Sequence, residues 1–450
     1  MTRTARRAAL LLSMLAALAL AVVAAVAPRW AERHEAEPPS DAASESNAPP
    51  GAPSGAAFPV PPIAVGLLPS GIPDDCSQDV TAEINAWIAG VPDGSTLTFA
   101  RNGCYRTEST IRVSNKQDVI FEGNGATFRR TQLTPQNLRY PKHHPHWLVV
   151  QSSNLVFRNI RVEGTNTGLE ALPQLKGLLP GARRTVDSKG SEAPISCEQE
   201  EDGYGCYSRS FAFEHGWHLG EVSDVTLEHA VVDAVWGDGI YIGRDLNDRD
   251  GSMNVRVFDV SIDRNGRQGV AIGKASQVLL DAVRVLHSHR SAVDLEPTSP
   301  DRSAIEGVEI RNSEFRSRLR ALAALGRGGV NDIYYHHNRI LDSMELWLES
   351  DSGIDVTRFR WRIHSNVHEG LMSQPALRFV ATKDVDIRDN HLRFRANNSE
   401  QVVQLYEGSQ ALIACNWFED AAELVSTDAT SSWRGEDNSL NNTPPACLRR

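Results

Sequence analysis

The chain has 450 residues and a formal net charge of -11. An acidic protein of this kind is not built to neutralise a phosphate backbone, so a nucleic-acid partner is not expected. The length would hold two or three ordinary domains, but a repeat running through most of the chain replaces that reading with one long domain.

Arg3, Arg6 and Arg7 precede an uncharged Ala/Leu/Val run over residues 8–27. A helix of that length spans about 30 Å, the thickness of a bilayer core. Ala25 and Ala27 have the small side chains of a cleavage site, whereas Pro28 disfavours cleavage there. Residues 1–29 therefore read as a signal peptide or a signal anchor. Either one exports the rest of the chain, to be secreted or tethered on the outer face of the cytoplasmic membrane. Membrane contact is expected through this segment alone. Residues 30–62 are mostly Pro, Ala, Ser, Gly and Glu, with almost nothing to bury, and read as a disordered linker.

Six cysteines fit an oxidising compartment. Among the pairings open to them, the local ones cost least: Cys76 with Cys104, Cys197 with Cys206, and Cys415 with Cys447. The chain has no Cys-x-x-Cys pair, which argues against a thiolate metal site.

Residues 63–450 read as a single domain. Over residues 80–90, Val80, Ile84, Trp87 and Ile88 fall on one helical face. A Pro-Asp-Gly-Ser turn at residues 92–95 then leads into short strands, so residues 74–104 are expected to form a cap. Residues 135–147 hold His143, His144 and His146, which suggests zinc but lacks a nearby fourth ligand. Residues 165–210 form a long insertion carrying Cys197 and Cys206, placed to wall a site. Residues 245–250 are rich in side-chain oxygens, as a Ca²⁺ loop is, but lack its motif. No metal ligand is assigned and no cofactor is expected, with Ca²⁺ left open.

From residue 154 to residue 423 one pattern recurs: an alternating apolar run, polar punctuation, then a second short apolar run. The period is about 23–30 residues, which marks a solenoid. Alternation within each copy marks strands, and the spacing leaves no room for crossover helices. The expectation is a parallel β-helix of about ten coils. Asn338, Asn366 and Asn390 fall at similar points of successive coils and read as a structural stack in a turn.

The order of capping helix, Pro92-Asp-Gly turn, Gly103-x-Tyr105 strand and Gly123-x-Gly125-Ala126 turn closely resembles the start of the pectate-lyase-like right-handed parallel β-helix superfamily. The resemblance covers residues 74–425. It implies an all-β, single-stranded right-handed parallel β-helix with an N-terminal capping helix. That superfamily holds lyases, hydrolases, epimerases, esterases and tailspikes, so the resemblance implies a fold more than an activity. The Asn-Thr-Asp, Asp-Asp, Gly-His-Gly and Arg-Ile-Lys motifs of its polygalacturonase-type hydrolases do not stand at matching positions. Glu214-His215-Gly216 is the nearest fragment.

Stacking the second apolar run of each copy puts His218, Tyr241, Ala271 and Asp294 in one outward column. Gly220, Gly243, Gly273 and Glu296 would flank it on one side, and Gly216, Gly239, Gly269 and Ala292 on the other. Such a polar column between small residues would make a trough for a sugar chain. Charged residues cluster at the strand ends: Asp233, Asp238, Arg244, Arg264, Arg267, Lys274, His289 and Arg290.

Two chemistries fit. In β-elimination or C5-epimerisation of an acidic polysaccharide, His218 and Tyr241 would be base and acid, with Arg244, Arg267, Lys274 or Arg290 binding the substrate and neutralising its carboxylate. In glycoside hydrolysis, Asp238, Asp294 and Glu296 supply the paired carboxyls. A non-catalytic glycan-binding or surface module would use the trough without chemistry. Elimination or epimerisation is the leading expectation, and a polysaccharide is the expected partner of all three. Oligomeric state is not legible. Trp347, Trp361, Phe379 and Tyr406 are read as core before sugar-stacking faces.

Overall fold

The computed structural model describes residues 64–132, 144–167, 206–208, 211–244, 250–297, 304–343, 348–350, 356–372, 375–394 and 401–448. The N-terminal run, the linker, Cys197 and most of the 165–210 insertion lie outside these residues, as do His143, residues 245–249 and Trp347. Among the described residues, no helix is long and apolar enough to cross a membrane.

Alternation decides which way each strand faces. In Ser223–Glu228, Ser252–Phe258 and Ala275–Asp281 the pairs Val225/Leu227, Val255/Val257 and Val278/Leu280 turn inward and are buried, and polar residues alternate with them. A strand that buries half its residues cannot stand alone, so each coil stacks on the next. Val225 faces Leu155 in one neighbouring strand and Val255 in the other, and Val255 in turn faces Val278, all in parallel register.

The result is a parallel β-solenoid. One sheet of 11 strands runs along it, and a second sheet of 23 strands carries the other two faces of each coil. The 11-stranded sheet contains Trp217–Gly220, Ile240–Gly243, Val270–Ile272 and Val293–Leu295. Its inward residues join the single hydrophobic core that fills the coil. In the early coils that core is aromatic: Trp147 stacks on Trp217 at 4.9 Å and Phe121 on Phe157 at 4.5 Å. Trp361 and Phe379 are buried in the later coils, while Tyr406 lies under the Arg378 guanidinium at 5.8 Å.

Helix α1 (Thr81–Gly90) packs against Ile111–Ser114, the edge strand of the 11-stranded sheet. Asn85 stands in for a neighbouring strand there, accepting from the Arg112 amide at 2.7 Å and donating to the Thr110 carbonyl at 3.0 Å. Val80, Ile84 and Ile88 enter the core, and Trp87 rests edge-on against Phe99. Polar groups of an exposed edge invite pairing with other chains, and this contact covers them. Disulfides Cys76–Cys104 and Cys415–Cys447 lie near the two ends of the solenoid. Cys206 is also disulfide-bonded.

The asparagine stack is longer than its three expected rungs. Asn338, Asn366, Asn390, Asn416 and Asn438 succeed one another, each Oδ1 accepting the backbone N–H of the preceding asparagine at 3.0 Å. The Nδ2 of each donates to a carbonyl three residues before the preceding rung (Ser313 in the case of Asn338), namely Ile310, Tyr335, Ile363, Ile387 and Ile413, at 2.7–2.9 Å. A buried corner where the chain leaves one strand for the next is thereby satisfied without water.

Candidate functional site

The outer face of the 11-stranded sheet carries the outward column in register. Leu148, His218, Tyr241, Ala271, Asp294, Ala323, Glu349 and Arg378 are successive parallel partners. His218 and Tyr241 are in ring contact at 4.8 Å. The flanking Gly243 and Gly273 make room for the Tyr241 ring. A Cβ on Gly273 would lie 2.4 Å from the tyrosine hydroxyl, closer than any side chain tolerates.

The other expected wall is corrected. Gly216, Gly239 and Gly269 do not line an outer trough. A Cβ on each would point into the core, 2.4–2.5 Å from Val232, Ile262 and Val285 of the facing sheet. These glycines sit where the chain turns a corner, so strict alternation no longer sets their direction. One residue upstream lies the column that does belong to the site: His215, Asp238, Gln268 and Ser291. It is tied across coils by the amides of Gly216, Gly239 and Gly269 donating to the carbonyls of Asp238, Gln268 and Ser291. Asp233 and Arg264 are also set apart. They belong to another face, where Arg264 grips Asp233 at 2.5 Å and Arg161 lies 3.5 Å away.

Three carboxyls converge. Arg267 touches Asp238 at 3.4 Å and Glu296 at 3.1 Å with its two terminal nitrogens. Because Arg267 precedes its strand and Glu296 follows the next one, the arginine meets the glutamate over the outer face, where Ala271 leaves space. Gln268 binds a carboxyl at each end: its amide donates to Asp238 Oδ1 at 3.1 Å and its Nε2 to Asp294 Oδ2 at 2.8 Å. His215 completes the cluster. Its Nδ1 accepts the Asp238 amide at 3.1 Å and lies 3.2 Å from Asp238 Oδ2, and its ring stacks on Tyr241 at 5.4 Å.

Burial sets the protonation of this cluster. Asp238 is completely buried, and desolvation, only partly offset by Arg267, pushes its carboxyl up to about 6. Asp294, 6% exposed, is pushed up to about 7 by burial and by the neighbouring Glu296 charge. Burial and the Glu296 charge also push the Tyr241 phenol up to about 12, so it stays protonated. The Arg267 guanidinium is held in its charged form by Asp238 and Glu296 despite desolvation. Glu296 is the open member of the set, its side chain 39% exposed.

His218 is buried, and its Nε2–H donates to the Arg244 carbonyl at 3.0 Å. Arg244 and Lys274 sit at the far ends of their strands, and Lys274 lines a separate groove with Gln151, Glu221 and Asp250. Arg290 lies on the Tyr207 ring at 5.5 Å.

His146, from the expected histidine cluster, is buried instead against Glu214 (3.6 Å), which Arg130 pairs at 2.8 Å. Desolvation and the nearby arginine push its imidazole down to about 4. Among the described residues, no group of three His, Cys, Asp or Glu side chains is arranged to hold a metal ion.

No known protein family matches the chain by sequence, and no curated protein matches it. Solved structures do match. The Agl-KA catalytic domain superposes with a TM-score of 0.55 at 11% identity, over 84% of this chain and 67% of that one. The fold is a pectate-lyase-like parallel β-helix. Two further matches are the Yersinia enterocolitica family 28 exopolygalacturonase (TM-score 0.49, 13% identity, 85% and 79% covered) and the A-module of the Azotobacter vinelandii mannuronan C-5 epimerase AlgE4 (0.48, 15%, 83% and 95%). At these identities the likeness concerns the fold.

Proposed function

We propose that the protein is an exported glycoside hydrolase whose reactive pair is Asp294 and Glu296. The observation that carries this reading is the convergence of three carboxyls on Arg267 and Gln268, with one of them protonated near neutral pH. A carboxyl raised to about 7 is a ready proton donor to a glycosidic oxygen, and the solvent-open Glu296 is the carboxylate that can activate water or attack the sugar. Asp238, fully buried, holds Arg267 and does not meet substrate.

Elimination or epimerisation, the leading expectation from sequence, fits this geometry less well. It needs a cation for the uronate carboxylate and a base for the C5 proton. Arg267 is already engaged by Asp238 and Glu296. Tyr241 is raised away from the range of a base, and the Nε2 of His218 is committed to a carbonyl. Tyr241, half-buried, is better read as part of a floor on which a sugar ring lies, with the buried His218 packed beside it. The disulfides support export.

The test is mass spectrometry of products from a panel of polysaccharides. Fragments carrying the mass of an added water support hydrolysis. Unsaturated fragments would return the assignment to elimination, and a polymer with inverted C5 centres but no new ends would return it to epimerisation. A substrate bound but chemically unchanged would make this a binding module.

A further inference from the structure

Arg267 and Arg290 occupy the same turn position in consecutive coils. The Arg267 amide donates to the Gly237 carbonyl, the Arg290 amide to the Arg267 carbonyl, and the Leu319 amide to the Arg290 carbonyl, at 3.0–3.1 Å. Their backbones are one strand spacing apart, about 4.8 Å. Their side chains differ in fate. Arg267 is nearly buried and consumed by two carboxylates. Arg290 is half-buried, and among the described residues no carboxylate lies within ion-pair distance of it; its guanidinium rests on the Tyr207 ring. It still sits close enough to Asp238 and Asp294 for its charge to act on both.

The platform under Arg290 is built. Tyr207 is buried and stacks on His289 at 6.1 Å. Its neighbour Cys206 is disulfide-bonded and clamped by the buried Asn166, which accepts from the Cys206 amide and donates to the Cys206 carbonyl, both at 2.8 Å. Gly266 admits this segment, since a Cβ there would lie 2.5 Å from the Cys206 carbonyl oxygen. A guanidinium fixed on an aromatic face, with no side-chain hydrogen bond among the described residues, matches a planar or tetrahedral oxyanion.

We propose that Arg290, held on Tyr207, is a subsite for a negatively charged substituent, carboxylate or sulfate, on a sugar next to the bond that is cut, so that the substrate is an acidic polysaccharide. The proposal rests on the hydrolase reading for the word "cut" but not for the binding itself. It also explains how an acidic substrate enters a site crowded with carboxyls: the charge is received one coil beyond Arg267, by a cation that has no carboxylate within ion-pair distance among the described residues.

The experiment compares the full chain with Arg290→Gln on three polymers: a polyuronate, the same polymer with its carboxyls reduced to alcohols, and a sulfated neutral galactan. The wild type is expected to favour one charged polymer over the reduced one by about ten- to hundredfold in kcat/KM, and the variant to lose that preference. Whichever charged polymer is preferred identifies the substituent. A wild type indifferent to charge, or a variant that keeps the preference, overturns the proposal while leaving hydrolysis standing. If none of the polymers is cut, calorimetric affinities for their oligomers decide instead. Binding of a charged oligomer that weakens about tenfold in the variant supports the subsite although hydrolysis fails, and equal or absent binding removes it. Tyr207→Leu, which takes away the platform but not the charge, should lower the same preference; an unchanged preference would count against the platform.

Discussion

Asp294 is where the acid–base reading can be tested most directly, because one carboxyl governs both rate and stability. As the general acid it must be protonated, so the rate should fall as pH rises through about 7. Asp294→Asn removes that donor, and kcat should drop by about 10²–10⁴. Stability should move the other way. The carboxyl has an ordinary value of 3.8 and a folded value of about 7. The fold is at its most stable with respect to this group below 3.8, and that contribution is lost as pH rises to about 7. An asparagine carries no such dependence. The variant should therefore be more stable than wild type at pH 8, by roughly 1–4 kcal/mol, with the gap closing towards pH 4. Thermal melts across that range check the sign. A wild-type advantage at pH 8 would mean that Asp294 is not held protonated.

Single elements show what can be read from sequence and what cannot. The strands were legible because a strand facing a core has no freedom in its alternation. Trp217, Ile240, Val270 and Val293 had to face inward, which put His218, Tyr241 and Asp294 outward in register. Corners are not bound by that rule. Gly216, Gly239 and Gly269 looked like a trough wall and instead face Val232, Ile262 and Val285. For the same reason His215 and Gln268, one position upstream, were missed as site residues. The available signal was that each such glycine follows a polar residue: His215, Asp238 and Gln268. The asparagine corner was legible in three copies, since it repeats a single residue type, and its energetic gradient is now predictable. Asn390 is fully buried and serves both neighbouring rungs, so Asn390→Ala leaves the Asn366 amide and the Ile363 carbonyl without partners. The loss should be about 2–4 kcal/mol. Asn438 lies at the half-buried last rung, where water can replace it, so Asn438→Ala should cost under about 1 kcal/mol. Equal losses in denaturant titrations would contradict a ladder whose strength depends on burial.

At the scale of the molecule, a solenoid has no contacts between distant coils, so its stability is a sum of local terms and its ends are its weak points. Both described disulfides lie there. Cys76–Cys104 closes 28 residues next to α1, and Cys415–Cys447 closes 32 residues across the last strands. The final strand, Ser432–Glu436, is exposed along its whole length, and the tail that the second disulfide retains pairs Ser439 with Trp417 and Phe418. Cross-links over loops of this size stabilise by about 3–4 kcal/mol through the entropy of the opened chain. In a compact domain that loss would lower the stability of every part. Here it should stay where it arises. With the two end disulfides removed by Cys76→Ser, Cys104→Ser, Cys415→Ser and Cys447→Ser, hydrogen exchange should accelerate in residues 75–106 and 410–448, while Ile240–Gly243 and Val270–Ile272 keep their protection. The reactive carboxyls would then outlast the loss of both end disulfides. Uniform loss of protection along the chain would show instead that the coils melt as one unit, with the end cross-links supporting the middle.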